Sequence, residues 1–321
     1  MPFNTFNSVA KLPKKSGGPP SITFSNPSLV TTTTHWVTDV SYRVFLIEGH
    51  STYDGTSIAP TATISNWNTA IKVFYLVIGS GGSGSADGTG ISSGSGSNGG
   101  GGGGAGGFLC GDVVVFPNNT NRTISFNPGG PAGLGNTIKR SSTLTIQKGV
   151  SLTTDFTATA GQGADGWSNA PTVSGTVSRR GSGGGASGFW YGNQNYSGGT
   201  GYTNGGGSYG SGWGGGGGGA QNTGGSAGSN TSSSVSGGSG LTVPTNILGI
   251  YQKFGNTEFC RGGSSGKGQN SNPAFGANDG AVGNANYGSG GGGATYNNIA
   301  TRKLGNRGAI AIAISMNDVP L

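Results

Sequence analysis

The sequence is short of almost every residue that does chemistry. Among 321 positions there are two cysteines, two histidines, two methionines and ten acidic residues, and charged residues make up only 8%. General acid–base catalysis needs histidines or paired carboxylates, and this chain supplies only His35, His50, Glu48, Glu258 and eight scattered aspartates. No serine, threonine or cysteine has an identifiable base beside it, so nucleophilic catalysis has no candidate. The expectation is a protein that is not an enzyme and needs no cofactor. Cys110 and Cys260 are too few for a disulfide framework and wrongly spaced for a zinc site. One bridge between them is an option; two reduced thiols are the preferred reading for a chain assembled in a cytosol. Glu48-Gly49-His50 could hold a metal ion, but such a trio more often ends a strand and turns the chain, so no metal site is expected. No apolar run approaches 18 residues and no secretory leader is recognisable, so no membrane span is expected and the mature chain should begin near Met1.

What is abundant is glycine, at 72 residues, while aromatics hold at 9%. A glycine fixed in regular structure costs roughly 0.5 to 1 kcal/mol more than an alanine, because it surrenders more backbone freedom. Summed over this chain, that cost exceeds the net stability of an ordinary domain several times over. Such a chain either stays disordered or recovers the loss through backbone hydrogen bonds and assembly contacts. Disordered segments are poor in aromatic and β-branched residues, whereas Val-Phe-Tyr-Leu-Val-Ile, Val-Val-Val-Phe and Ile-Ala-Ile-Ala-Ile stand between these glycine tracts. The net charge of +7 reflects few acids more than many bases. The bases fall in scattered pairs such as Lys139-Arg140 and Arg179-Arg180, not on one patch, so nucleic acid is not the favoured partner.

Three regions follow from composition. Residues 1–20 form a polar arm, basic at Lys11, Lys14 and Lys15 and closed by Gly-Gly-Pro-Pro, suited to reaching a neighbour in an assembly. Residues 21–63 form an N-terminal β region and residues 64–321 a glycine-rich β domain. Strand-like runs fall at 21–24, 36–47, 61–67 and 71–78, which suggest a small antiparallel sheet, then at 112–116, 122–126, 142–147, 152–159, 247–254 and 309–315. In the last, Ile310, Ile312 and Ile314 share one face and alanines the other. No window carries the period and caps of an amphipathic helix. The fold class is therefore all-β, with small antiparallel sheets or a sandwich interleaved with glycine-rich segments.

Four glycine runs each end in a single methyl, at Ala105, Ala186, Ala220 and Ala294, with uneven spacing that excludes a solenoid of fixed period. The runs lack the Gly-X-Y repeat of collagen. Two forms stay open for them. They can be polyglycine-II-like helices of three residues per turn, hydrogen bonded sideways to one another, or solvated loops around a β-core.

Two nucleotide-binding patterns are decoys. Gly79-Ser-Gly81-Gly-Ser-Gly84 follows a strand but precedes no helix that could hold a pyrophosphate. Gly262-Gly-Ser-Ser-Gly266-Lys267 lacks both the first P-loop glycine and the Ser/Thr after the lysine. The cluster worth keeping is aromatic: Phe189, Trp190, Tyr191, Tyr196, Tyr202, Tyr209 and Trp213 lie in a stretch otherwise made largely of Gly, Ser, Thr and Asn. Rigid rings among adaptable polar residues make contact loops for a partner protein or a sugar face; equally, the rings can cap the edges of glycine layers.

The order of an apolar strand at 71–78, a long glycine tract, the strand at 144–147, further tracts, Gly262-Gly263-Ser264-Ser265-Gly266 and the closing Gly308-Ala-Ile-Ala-Ile-Ala-Ile resembles the glycine-rich domain of phage tail-fibre and giant-virus virion proteins. The likeness covers about residues 64–316 and rests on layout. It implies a non-catalytic part of a virus particle, located in the virion after assembly in the host cytoplasm. The glycine tracts are broken by serine and asparagine, and residues 1–63 match no attachment module, which shifts the expectation from a tail-fibre-tip adhesin toward a minor capsid or capsid-surface fibre protein. The implied partners are other capsid proteins, with a host-surface glycan as partner in the alternative adhesin reading.

Overall fold

A computed structural model of the chain describes residues 21–37, 40–49, 60–65, 70–85, 100–116, 121–130, 141–147, 155–166, 170–186, 214–221, 223–224, 236–242, 258–263, 265, 287–293 and 304–316. Its regular structure is nearly all β. In chain order the strands are β1 (Ser21–Phe24), β2 (Thr31–Val37), β3 (Val40–Glu48), β4 (Thr61–Ser65), β5 (Ile71–Ile78), β6 (Phe108–Val115), β7 (Arg122–Asn127), β8 (Ser142–Ile146), β9 (Phe156–Ala160), β10 (Val177–Arg179), β11 (Leu241–Thr242), β12 (Glu258–Phe259) and β13 (Ala309–Ser315).

These strands build two main sheets. The first has the order β1-β4-β7-β8-β9-β10, the second β2-β3-β13-β5-β6, and β11 pairs with β12 alone. Every pairing is antiparallel except β9 with β10. The strands of residues 21–65 do not make a sheet of their own. Instead, β1 and β4 join the first sheet beside β7, while β2 and β3 join the second beside β13. Between the sheets lies one apolar core, fed from β3 by Phe45 and Ile47, from β5 by Val73 and Tyr75, from β7 by Ile124 and Phe126, from β8 by Leu144 and Ile146, and from β13 by its three isoleucines. Alternation along each strand sends these side chains inward, as a two-residue period requires.

The outer faces differ. That of the first sheet carries cross-strand rows of hydroxyl residues, Thr23–Thr63–Thr123 and Thr61–Ser125–Thr145–Thr157, which are favourable pairs on a solvated strand surface. That of the second sheet is itself largely covered. Val44, Leu46, Leu76, Ile78 and the alanines of β13 form a second apolar cluster there, together with Phe108, Phe259, Cys260 and Tyr287. β13 is thus buried on both faces at the centre of its sheet, with isoleucine toward the sandwich and alanine toward the second cluster.

One end of the sandwich feeds the glycine segments. β5 ends at Ile78 opposite both Phe108, which opens β6, and Ala309, which opens β13. Residues 79–85, 100–107 and 304–308 therefore leave the sheet at the same edge, and residues 161–166 follow β9. Ser142, fully buried at the start of β8, ties the two sheets together there: its hydroxyl donates to the Ile78 carbonyl at 2.5 Å and accepts from the Gly129 amide at 2.8 Å.

Candidate functional site: a laterally bonded glycine bundle

At this end the strands run on into a bundle of glycine segments that bond to one another sideways. The segment at residues 101–107 is its axis. Its amides donate in turn to Gly215, Gly291, Ala164, Gly218, Gly288 and Gly161, from residues 102, 103, 104, 105, 106 and 107. The three directions, toward the 214–220, 287–293 and 161–166 segments, recur in the same order after three residues. Its carbonyls accept from three further segments: from Ser85, Gly82 and Gly79 on one side, from Gly185 and Ser182 on another, and from Gly263 on a third. Six neighbouring segments thus surround the axis, and each is attached by its backbone. Outer members repeat the rule, as where Gly215 and Gly218 donate to Ala186 and Gly183, again three residues apart.

Only glycine fits such spacing. A methyl built on Gly103 would lie 2.1 Å from the Gly82 carbonyl oxygen, and one on Gly217 would lie 2.0 Å from that of Gly103. The obstacle is backbone on each side, so no side-chain rotation relieves it. Gly288 differs, since its φ of 72° lies in the left-handed region that side chains avoid. Two of the methyls that do occur, those of Ala105 and Ala220, sit in the second apolar cluster against the sheet. Residues 79–84, 100–107 and 214–220 are buried throughout. The solvated-loop reading of the runs does not describe these segments.

The junction between bundle and sheet holds the few polar side chains with structural work. Tyr287 donates its hydroxyl to Glu48, and Glu48 also pairs with Arg307 at 3.1 Å. Burial pushes the Tyr287 phenol well above its ordinary range, with the Glu48 carboxylate adding to the effect. Glu48 does end β3, but its partners are a tyrosine and an arginine from the far end of the chain; His50 lies outside the described residues. Cys260 is buried with its thiol 3.8 Å from the Gly107 carbonyl, and burial raises its pKa strongly, so it packs as a small apolar group. Cys110 and Cys260 are both free thiols. Asp165 reaches back to accept from the Ser83 amide at 2.7 Å, closing one edge of the bundle.

The aromatic set Phe189, Trp190, Tyr191, Tyr196, Tyr202, Tyr209 and Trp213, and the arm residues Lys11, Lys14 and Lys15, lie outside the described residues. Among the described residues no group of three His, Cys, Asp or Glu side chains could hold a metal ion. No helix among them is long and apolar enough to cross a membrane. Sequence reasoning missed the Glu48–Tyr287–Arg307 cluster because its members are widely separated along the chain. It had no signal beyond three polar residues beside glycines.

A family model for the glycine-rich domain matches residues 51–315, most of the chain, and the protein belongs to that family of glycine-rich domain proteins. No curated protein and no solved structure matches it.

Proposed function

We propose that this protein is a structural component of a virus particle, a minor capsid or capsid-surface fibre protein that acts through assembly contacts and not through catalysis. The glycine segments serve in it as polyglycine-II-like helices that stiffen one end of the β-sandwich. The observation behind this reading is the axis at residues 101–107, bonded through its backbone to six neighbouring segments. Backbone amides consumed in lateral bonding offer no reactive group; they offer rigidity, and rigidity suits a part that must hold its shape in an assembly. The layout of strands and tracts resembles that of virion proteins, and the basic arm at residues 1–20 supplies an attachment to a neighbour.

Co-sedimentation tests the placement. Antibody to the chain should detect it in purified particles after salt washing, and a chain recovered only outside particles would sink the proposal. Deleting residues 1–20 separates the structural reading from the alternative, an adhesin that grips a host glycan through its aromatic stretch. Incorporation into particles should fail if the arm anchors the protein; glycan binding by the isolated chain should persist if it is an adhesin.

A further inference from the structure

A guanidinium stays charged at any pH a folded protein meets, so a buried arginine ordinarily has acceptors for its donors or a carboxylate beside it. Two arginines on the walls of the sandwich core depart from this. Arg122 opens β7 opposite Ile64 of β4 and is only 7% exposed; its Nε and Nη2 are buried with no hydrogen-bond partner among the described residues. Arg43 on β3 lies opposite Ile314 of β13, and its Nη2 is buried in the same condition. Residues directly opposite in a strand pair share a face. Ile64 and Ile314 belong to the sandwich core, so both arginines point inward, from facing sheets.

They also lie at the same end. Gly49, just after β3, donates to the Gly308 carbonyl at 2.9 Å, and Gly308 donates at 2.8 Å to the carbonyl of Gly129, just beyond β7. β3 and β7 therefore finish level with each other, in opposite sheets, beside the glycine bundle. Arg43 stands six residues before Gly49 and Arg122 seven before Gly129. At about 3.3 Å per residue, both sit roughly 20 Å from the bundle, at the far end of the core. The ring of Phe24 joins the two strands on the way, 4.9 Å from Phe45 and 6.1 Å from Phe126. Facing sheets are about 10 Å apart, a gap that two arginine side chains span. The carboxylates nearest in the fold serve elsewhere: Asp112 pairs with Lys72, Glu48 pairs with Arg307 at the bundle, and Asp155 is exposed at the start of β9, two strands from β7.

We infer that Arg43 and Arg122 form a binding site for a small oxyanion, held between the two sheets at the end of the sandwich away from the glycine bundle. Nε and Nη2 lie along one side of a guanidinium, and together they match two oxygens of a phosphate or carboxylate. Those are the two donors that Arg122 leaves unpaired, and Arg43 adds a third from the facing sheet. One anion between them offsets two like charges that a low dielectric sets against each other, in a chain already at +7. Chloride presents no pair of oxygens, so the fork favours oxyanions over it. The inference stands whether or not the protein belongs to a virus particle.

Titration calorimetry of the full chain, at constant ionic strength in chloride, should show phosphate binding at about one site per chain with a Kd below about 1 mM. The thermal midpoint should then climb with each further tenfold increase in phosphate. Acetate in a parallel titration separates the two sources of such oxygens: tighter acetate binding assigns the site to carboxylates and tighter phosphate binding to a tetrahedral anion, and either result supports the site. Arg122→Leu and Arg43→Leu should each weaken binding at least about tenfold. Lys72→Gln, which removes an exposed cation between the inward-facing Ile71 and Val73, should leave the Kd within about twofold. Oxyanions that bind no better than chloride, or an equal loss of affinity from Lys72→Gln, would reveal only general attraction to a basic chain and overturn the inference. Should either leucine variant lose its β-sheet circular dichroism, the unaltered protein still decides: a midpoint that neither phosphate nor acetate raises above its value in chloride equally overturns it.

Discussion

At Gly103 a single hydrogen atom separates two backbones, and its replacement by a methyl has nowhere to go. Because the obstruction is the backbone of Gly82 and Ser83, which no side-chain rotation relieves, Gly103→Ala should cost about 3 kcal/mol, the upper end of the usual penalty for overfilling an interior. Urea denaturation measures it, and a loss under about 1 kcal/mol would show that the segments can spread apart. Arg122 predicts the opposite sign. It is 7% exposed on the inward face of β7, and its Nε and Nη2 have no hydrogen-bond partner among the described residues. Exchanging it for a well-packed apolar residue, Arg122→Leu, should raise stability by about 1 to 3 kcal/mol, since an unsatisfied buried polar group costs about that much. The buried thiol and phenol set the alkaline limit. Cys260 and Tyr287 are neutral when protonated, burial favours that form, and both pKa values rise on folding. Their contribution is therefore complete below the ordinary values, 9.0 for the thiol and 10.0 for the phenol, and is lost as pH rises through the folded ones. Above about pH 9 stability should fall by roughly 1.4 kcal/mol per pH unit for each group in play. Calorimetry across that range should show Tyr287→Phe and Cys260→Ala each removing part of the slope.

At the level of elements, β13 binds the fold together, since it pairs with β3 and β5 and is packed on both faces. Both faces should resist change in opposite directions. Ile312→Ala should cost about 2 to 5 kcal/mol by opening a cavity in the sandwich core, and Ala311→Leu about 1 to 3 kcal/mol by overfilling the second cluster. A tolerated Ala311→Leu, read by thermal denaturation, would mean that the second cluster is loosely packed. β13 was also the most legible element. Its Ile-Ala alternation shows in the sequence because a strand's period is two, and β5 was equally plain at Ile71–Ile78. β2 was not, because Thr31–Thr34 is a uniform polar run with no apolar alternation to mark it. The expected small N-terminal sheet failed for a related reason. Periodicity identifies a strand but not its neighbours: β3 has β2 on one side but β13 on the other, and β4 has β1 on one side but β7 on the other, so the N-terminal strands divide between the two sheets.

For the molecule as a whole, the bundle was legible only as a choice between two forms. Glycine carries no side chain that could name a partner, so nothing in the sequence ties Gly103 to Gly291 or Gly82 to Gly104. Of the alanines that end the runs, Ala105 and Ala220 were visible, but their reason, contact with the sheet's second apolar cluster, needs the fold. Amide exchange offers the global check. The amides of residues 102–107 should exchange only through unfolding of the whole molecule, as slowly as those of β5 and β13, and rapid exchange at these glycines would refute a rigid bundle. The three-residue repeat also reaches beyond the folded protein. Adding or deleting one glycine aims every later amide of a segment at the wrong neighbour, whereas adding or deleting three moves the chain by one repeat and restores the order of bonding directions. Glycine codons all begin with two guanines, so the DNA behind these tracts is repetitive and prone to slip during copying. Inheritance should therefore tolerate length changes within a bundle segment chiefly in steps of three codons, and purge those of one or two.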